Sequence, residues 1–176
     1  MDHPGIQNPE RRSFLRAVPA AAAAGLALAD ALAGHAAAQE TAPAVGYKLI
    51  TAETLHDDIG GLQEHPGNKP LFFDRNFSIM LTSETAAFAK EFEWHEHRDH
   101  IFYIFDGSTD FELGGTPQKA HSPRSGEWLA PASEGATKVT LHKGDTLVIP
   151  RGTPHKRSTP GSVTFTLTAP MTPRGA

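Results

Sequence analysis

The chain has no cysteine among its 176 residues. Disulfide bonds, thiolate nucleophiles and sulfur-ligated metals are therefore excluded, and stability must rest on the packed core alone. A block of basic residues is also lacking, and the formal net charge is −4 at pH 7. This charge balance argues against nucleic acid and anionic membranes as partners.

The sequence also lacks the common signatures of nucleotide-binding and hydrolase sites. There is no G-x-S-x-G elbow for a nucleophilic serine, no Walker loop and no dinucleotide fingerprint. The pair Gly114-Gly115 is typical of a hairpin turn rather than of a phosphate-binding loop. Hydrolysis by a Ser-His-Asp triad and nucleotide binding are thus disfavoured.

The N-terminal region has no apolar run long enough to span a bilayer. Its uncharged, mostly Ala run covers only residues 17–29, whereas a membrane-spanning helix needs about 20 predominantly apolar residues. Before this run stands Arg11-Arg12-Ser13-Phe14-Leu15-Arg16, which resembles the twin-arginine export signal S/T-R-R-x-F-L-K. Ala36-Ala37-Ala38 supplies an A-x-A cleavage site before Gln39.

We therefore predict that residues 1–38 are a cleaved twin-arginine signal peptide. Glu10 stands where the signal usually has Ser or Thr, and Arg16 stands where it has Lys. The resemblance implies that the twin-arginine translocon carries the protein, already folded, to the periplasm. The alternative is an Ala-rich helix of the domain itself. The mature chain 39–176 has the size of one domain with a sizeable core.

Short β-branched and aromatic runs, separated by Gly, Pro and Ser, predict an all-β sandwich or barrel. A short helix is predicted at 51–59 and a long surface loop at 114–137. The predicted strands are 46–50, 77–82, 88–97, 100–105, 109–113, 138–141, 146–149, 155–158 and 163–168.

One segment combines a turn, a strand and a second turn that ends in a histidine. Gly144 turns the chain, and the β-branched run 146–149 predicts a strand. Pro150 and Gly152 then define the second turn, because Pro fixes φ and Gly permits a positive φ. The segment predicts that His155 is held firmly in place.

This segment resembles the second motif of the cupin family, G-x5-P-x-G-x2-H-x3-N. The matching residues are Gly144, Pro150, Gly152 and His155, and Thr159 replaces the final Asn. The first motif of the family is G-x5-H-x-H-x3or4-E-x6-G. Its matching residues are His95, His97 and Gly107, whereas Ala89 replaces the first Gly and His100 stands at the Glu position. The resemblance covers residues 71–169.

The resemblance implies an all-β double-stranded β-helix, or jelly-roll, barrel in a single domain. We predict an N-terminal arm with a first strand at 39–70, the barrel at 71–170 and a C-terminal tail at 171–176. Since cupin barrels commonly pair through their outer sheet, the resemblance also implies a homodimer. Apolar residues on both faces of 100–105 support this expectation, because both faces then need cover.

Strand geometry predicts that several histidines converge on a metal. Alternating side chains place His95 and His97 on one face, and a two-residue loop would let His100 start the next strand facing the same interior. His155 would enter from a neighbouring strand. Converging neutral imidazoles suit one divalent transition metal, namely Zn, Fe, Ni, Cu or Mn. We predict His95, His97 and His155 as ligands, with His100 as a fourth ligand or as a proton donor at the mouth.

The other histidines are predicted to lie on the surface; they are His56, His65, His121 and His142. Phe102 and Ile104 share the predicted face of His100, and we expect them in the substrate site. Arg157, two residues after His155, is expected to face the same interior. A guanidinium there needs an anionic partner, which is either a substrate carboxylate or an internal carboxylate such as Glu93.

The fold does not choose the function. The first hypothesis is a periplasmic metal-dependent enzyme of the dioxygenase, isomerase or lyase type, acting on a small oxygenated or carboxylate-bearing substrate. Absence of the family Glu removes one negative charge and so favours an anionic substrate. The second hypothesis is a non-catalytic periplasmic binder of a metal or small ligand, and the third is a metal-free interaction module. The sequence identifies no catalytic residue.

Overall fold

The computed structural model of the protein describes residues 47–172, and the predicted signal peptide 1–38 lies outside this range. The described range contains one helix and eleven strands. They are α1 (Ala52–Glu64), β1 (Gly67–Phe73), β2 (Phe77–Phe88), β3 (Phe92–His95), β4 (His100–Leu113), β5 (Thr116–Gln118), β6 (His121–Arg124), β7 (Glu127–Ala130), β8 (Ala132–Glu134), β9 (Thr137–His142), β10 (Thr146–Ile149) and β11 (His155–Pro170).

The described part of the predicted N-terminal arm has no strand at 47–50, and residue 46 of the predicted strand 46–50 lies outside the described residues. The helix predicted at 51–59 is present, and the first strand of the structure, β1, begins at Gly67 within the arm. Thr51 caps α1 by accepting a hydrogen bond from the backbone N of Thr54 at 3.1 Å. The helix then continues beyond the predicted 51–59 to Glu64, where it contacts β1 and β2.

Nine of the strands form one sheet, and β5 pairs with β8 in a separate two-stranded sheet. The recorded pairings of the large sheet are antiparallel, and β11 connects its parts. Along its sixteen residues β11 pairs with β2, β3 and β4. The register of β11 against β4 shifts between Ser158 and Val163. This local irregularity lets one strand pair with several others along its length.

Two breaks between predicted strands are absent from the structure. The predicted strands 100–105 and 109–113 are both parts of β4, and 155–158 and 163–168 are both parts of β11. Gly and Pro between these pieces indicated turns, but in the structure the chain crosses them within continuous strands. The predicted loop 114–137 instead holds the four short strands β5 to β8, whose few residues gave a weak alternation signal.

The core lies on the inner face of β4 and its neighbours. Alternate residues of β4 are buried from His100 to Ile104, whereas Tyr103 is 42% exposed. This is the alternation that the sequence predicted for this strand. The buried core cluster comprises Phe102, Ile104, Phe111, Leu141, Ile149, Val163, Phe165 and Leu167.

The predicted all-β fold class is confirmed by the strand content, the antiparallel pairings and the buried core cluster of the described residues. Within residues 47–172, no helix is both long and apolar enough to cross a membrane.

Gly107 ends the first motif and lies where β4 meets β11. Its φ is +75°, and a Cβ built on it would lie 2.1 Å from the carbonyl oxygen of Ser162. Any side chain would thus meet rigid backbone as well as the strain of the left-handed region. The last Gly of the motif is required here by a close approach of two strands.

We expect Gly107→Ala to lower the free energy of unfolding by more than the roughly 1–2 kcal/mol of left-handed strain alone. Urea denaturation measures this. Gly144→Ala is the matched control, because Gly144 has a φ of +92° but nothing within 4 Å of its built Cβ. Equal losses in the two variants would contradict the role given to the Ser162 contact.

Candidate metal centre

Three histidines meet in the interior although they begin or end different strands. His95 is the last residue of β3, His100 is the first of β4 and His155 is the first of β11. All three are buried, with 3%, 6% and 4% relative exposure. One ring nitrogen of each lies within 4.8 Å of those of the other two.

The two motif segments are tied together beside these histidines. The backbone N–H of Gly152 donates to the carbonyl oxygen of His95 at 2.8 Å. Asp99 accepts from the backbone N of Arg151 at 2.7 Å and from its guanidinium at 3.0 and 2.7 Å. The side-chain hydrogen bond from Arg151 lowers the pKa of Asp99 despite its partial burial. The turn before His155 is thus clamped to the loop before His100.

The orientation of His155 is set by its own turn. Its Nδ1 lies 2.9 Å from the carbonyl oxygen of Thr153, and a carbonyl can only accept, so Nδ1 carries the proton. The other nitrogen, Nε2, then presents a lone pair to the cluster. This Nε2 is buried without a hydrogen-bond partner, and so is Nδ1 of His100.

Burial favours the neutral form of His100 and His155. Desolvation lowers the pKa of His100 well below its ordinary value, and the neighbouring charges of His155 and His95 act in the same direction. Desolvation also lowers the pKa of His155, although Glu93 and the Thr153 carbonyl oppose it. Neutral imidazole is the form that binds a metal.

His95 has two charged neighbours. Its Nδ1 pairs with Glu127 Oε2 across β3 and β7. Nη2 of Arg98 lies 2.8 Å from the same Nδ1 and 3.1 Å from Glu127 Oε2. Desolvation opposes the ionisation of Glu127, but the hydrogen bond from His95 and the charge of Arg98 outweigh it and lower its pKa. A carboxylate bonded to one ring nitrogen orients the other towards a metal.

The donor set fits a divalent transition metal. Three imidazoles converge in a buried place, and one nitrogen each of His100 and His155 lacks a hydrogen-bond partner there. Buried polar atoms normally have a partner, so such a pair is costly unless a ligand satisfies it. Nitrogen donors suit Zn, Fe, Ni, Cu or Mn better than Mg or Ca.

His97, predicted as a ligand, does not join the cluster. Strand β3 ends at His95, so the alternation that would place both side chains on one face stops before His97. The side chain of His97 is 38% exposed and lies 3.9 Å from a carboxylate oxygen of Glu96. A Cβ built on Gly126 would be 3.1 Å from its ring. The structure brings together His95, His100 and His155 instead.

Arg157 binds a carboxylate of the protein itself, so its guanidinium is not free to bind a substrate. Its guanidinium binds both carboxylate oxygens of Glu84, with Nη2 2.9 Å from Oε2. It also lies over the ring of Phe165 at 4.7 Å and within 3.2 Å of the Thr159 hydroxyl. The side chain of Arg157 therefore points into the protein, as the sequence predicted. Its carboxylate partner is Glu84 rather than Glu93, because β2 lies beside this part of β11.

The remaining predicted positions divide into core and surface. Phe102 is buried with its ring 5.8 Å from that of His100, and Ile104 is fully buried in the core cluster. Phe102 therefore forms a wall of the histidine site, whereas Ile104 packs further inside. The four histidines predicted on the surface, His56, His65, His121 and His142, are exposed.

Two site residues were not foreseen, namely Glu127 and Arg98. Glu127 starts β7 inside the segment interpreted as a loop, and the short apolar run Trp-Leu-Ala after it was its only signal. Trp128 stacks on Trp94 across the strands at 5.9 Å and thereby fixes the register that puts Glu127 opposite His95. Arg98 was treated as a hairpin loop residue, but its guanidinium turns inward.

Comparisons with known proteins give solved structures only. No family model matches the chain, and no curated protein does. A Bacillus halodurans protein, BH2720, is 15% identical over 78% of this chain and 89% of its own, with a TM-score of 0.49. A cupin-2 domain containing protein from Shewanella frigidimarina is 19% identical over 69% and 94%, with a TM-score of 0.44.

A putative sugar phosphate isomerase from Acidithiobacillus ferrooxidans is 12% identical over 70% of this chain and 75% of its own, with a TM-score of 0.46. At identities and TM-scores this low, neither the fold nor the function assigned to this chain rests on these likenesses. Both rest on the strand order and on the histidine geometry.

Proposed function

We propose that the protein binds one divalent transition metal ion through His95, His100 and His155. The observation that carries the proposal is the convergence of three buried ring nitrogens within 4.8 Å, two of them in residues with an unpartnered buried nitrogen. Glu127 supports it by holding the remaining nitrogen of His95.

We further propose that the metal centre is catalytic, of the dioxygenase, isomerase or lyase type. When bound, the ion would supply Lewis acidity or an oxygen-activating centre for a small oxygenated substrate. Three protein ligands are typical of catalytic sites, because they leave a position for substrate, whereas structural sites are closed by four. Phe102 would shield one side of that position from water.

The charges around the cluster favour an anionic substrate such as a carboxylate. A divalent ion and Arg98 supply positive charge, and the neighbouring carboxylates are Glu127 and Glu93. Glu84 neutralises Arg157 separately. The sum over the ion, Arg98, Glu127 and Glu93 is one positive charge, which an anionic substrate would balance. Arg98 is thus the arginine that we propose for binding an anionic substrate, a role that the sequence analysis considered for Arg157.

The second candidate is a non-catalytic binder of a metal or small ligand, favoured by the near-complete burial of the three imidazoles. Turnover under air with Fe(II) or Mn(II), tested on small carboxylates, discriminates the two. A site that accepts no exogenous ligand would favour the binder.

The metal proposal predicts that His155→Ala loses most of the bound ion. Removing a ligand should cost more than the roughly 10–100-fold loss of affinity that follows removal of a group orienting a ligand. Elemental analysis of protein purified without a nickel column measures the metal-to-protein ratio. His142→Ala is the control, because His142 is equally a histidine but exposed. A full equivalent of metal in His155→Ala would contradict the proposal.

We also propose export through the twin-arginine pathway to the periplasm, supported by Arg11, Arg12, Phe14 and Leu15. Replacing Arg11 and Arg12 by Lys together should abolish the mature chain in the periplasmic fraction. Replacing Lys48 by Arg is the control for a Lys/Arg exchange outside the signal. Unchanged export of the double variant, or a mature N-terminus far from Gln39, would count against this route.

We propose in addition that the protein forms a homodimer. The outer face of β4 and β10 carries Tyr103 and Val148, which are 42% and 58% exposed, beside Ile101 and Phe105. Pairing two such faces would remove this apolar surface from water. Sedimentation at tens of micromolar should give twice the monomer mass, and Val148→Glu should give the monomer. Phe88→Glu, also at an exposed apolar residue, should leave the dimer intact. A wild-type monomer would refute the proposal.

A further inference from the structure

Glu93 faces the same site as the three histidines. It lies on β3 two residues before His95, so its side chain leaves the same side of the strand. In the antiparallel register its direct cross-strand partner is His155. Its Oε1 lies 3.7 Å from His155 Nε2, the nitrogen whose lone pair points into the cluster.

In this arrangement, two hydrogen-bond acceptors, His155 Nε2 and a carboxylate oxygen of Glu93, face each other. Nδ1 of His155 donates to the Thr153 carbonyl, so Nε2 is the accepting nitrogen of the neutral ring. An ionised carboxylate also only accepts. The Nε2 atom is buried and has no hydrogen-bond partner. Two such atoms repel each other unless a cation lies between them.

The distance between Glu93 Oε1 and His155 Nε2 is suited to a metal ion rather than to a shared proton. The two atoms are 3.7 Å apart, which is longer than an ordinary N–H···O hydrogen bond of about 2.7–3.2 Å. A proton shared between them therefore does not explain the arrangement. Two donors each about 2.0–2.2 Å from one ion, at a tetrahedral angle, lie roughly 3.4 Å apart. The observed distance is close to that of two ligands of one metal.

We propose that Glu93 is the fourth protein ligand of the metal, beside His95, His100 and His155. The inference rests on the proposed metal-binding function and deepens it. His100 occupies the position where the first motif has its Glu, and Glu93 restores a carboxylate to the site from the strand before it.

Glu93 does not belong to the group whose ligand atoms all lie within 4.8 Å of one another, so coordination requires its side chain to rotate further inward. The side chain is 22% exposed. In an octahedral ion, four protein ligands leave two positions for a substrate. A tetrahedral ion would be closed by the same set.

The two carboxylates at the site then have different roles. Glu93 faces the metal-binding nitrogen of His155, whereas Glu127 bonds to Nδ1 of His95, away from the metal-binding nitrogen. Glu93 is a ligand, and Glu127 is a positioning residue. Replacement of each by its isosteric amide separates these roles.

The test is a Co(II) titration of the metal-free mature protein, followed by the visible absorption of the bound ion. Glu93→Gln should shift the absorption bands, because it replaces an anionic ligand, and should weaken binding at least about 10-fold. Glu127→Gln should weaken binding by roughly 10–100-fold while keeping the wild-type bands. Glu93→Asp, which retains the charge, should restore bands closer to wild type than Glu93→Gln does. Circular dichroism verifies that each variant is folded.

The outcomes separate this inference from the function on which it rests. If His155→Ala abolishes Co(II) binding while Glu93→Gln keeps wild-type bands and affinity, Glu93 is not a ligand but the histidine site stands. If Glu93→Gln and Glu127→Gln change the bands alike, the separate roles are wrong. If the wild-type protein binds no Co(II), the site and the role of Glu93 both fail.

Discussion

The hydrogen bond from the Gly152 N–H to the carbonyl oxygen of His95, 2.8 Å long, is the contact on which the site depends. It joins two segments that are more than fifty residues apart, and the Asp99–Arg151 pair reinforces it at the same junction. Gly152 has a φ of +78°, a conformation that aims its N–H at the other segment and that a residue with a Cβ adopts only with strain. This junction holds three buried imidazoles side by side, and one nitrogen each of His100 and His155 is left without a hydrogen-bond partner, which isolated side chains would avoid.

Burial then determines the chemistry. The same desolvation that lowers the pKa values of His100 and His155 also removes water as a competitor for their lone pairs. A nitrogen that is neither protonated nor hydrated binds a metal more strongly. Charged residues lie directly beside the imidazoles. Arg98 Nη2 is 2.8 Å from Nδ1 and 3.2 Å from Nε2 of His95, Glu127 bonds to His95, and Glu93 lies beside His155. Desolvated imidazoles and charged side chains are therefore neighbours in the proposed metal site.

The sequence predicted what local geometry controls and missed what long-range pairing controls. The strand Thr146–Ile149 and the turn delivering His155 depend on neighbouring residues, and both agree with the structure. The alternation of β4 also agrees, since a strand has period two wherever it runs. His97 lies outside the histidine cluster because β3, which pairs with β7 and β11, ends at His95. Glu84 was missed as the partner of Arg157 for the same reason: 73 residues separate them.

Arg157 and Arg98 together show how position alters the role of one residue type. Both guanidiniums point into the protein, and both have a carboxylate partner. Arg157 binds both oxygens of Glu84 and stacks on Phe165, so its charge and its donors are largely used in holding β2 to β11.

Arg98 instead shares a single oxygen of Glu127 with His95. Movement of that one oxygen would change the orientation of a metal ligand and the position of a positive charge at once. In the proposed metal site, the charge of Arg98 and the orientation of His95 are thus coupled through Glu127, so an anion that bound Arg98 would also act on the proposed ligand His95.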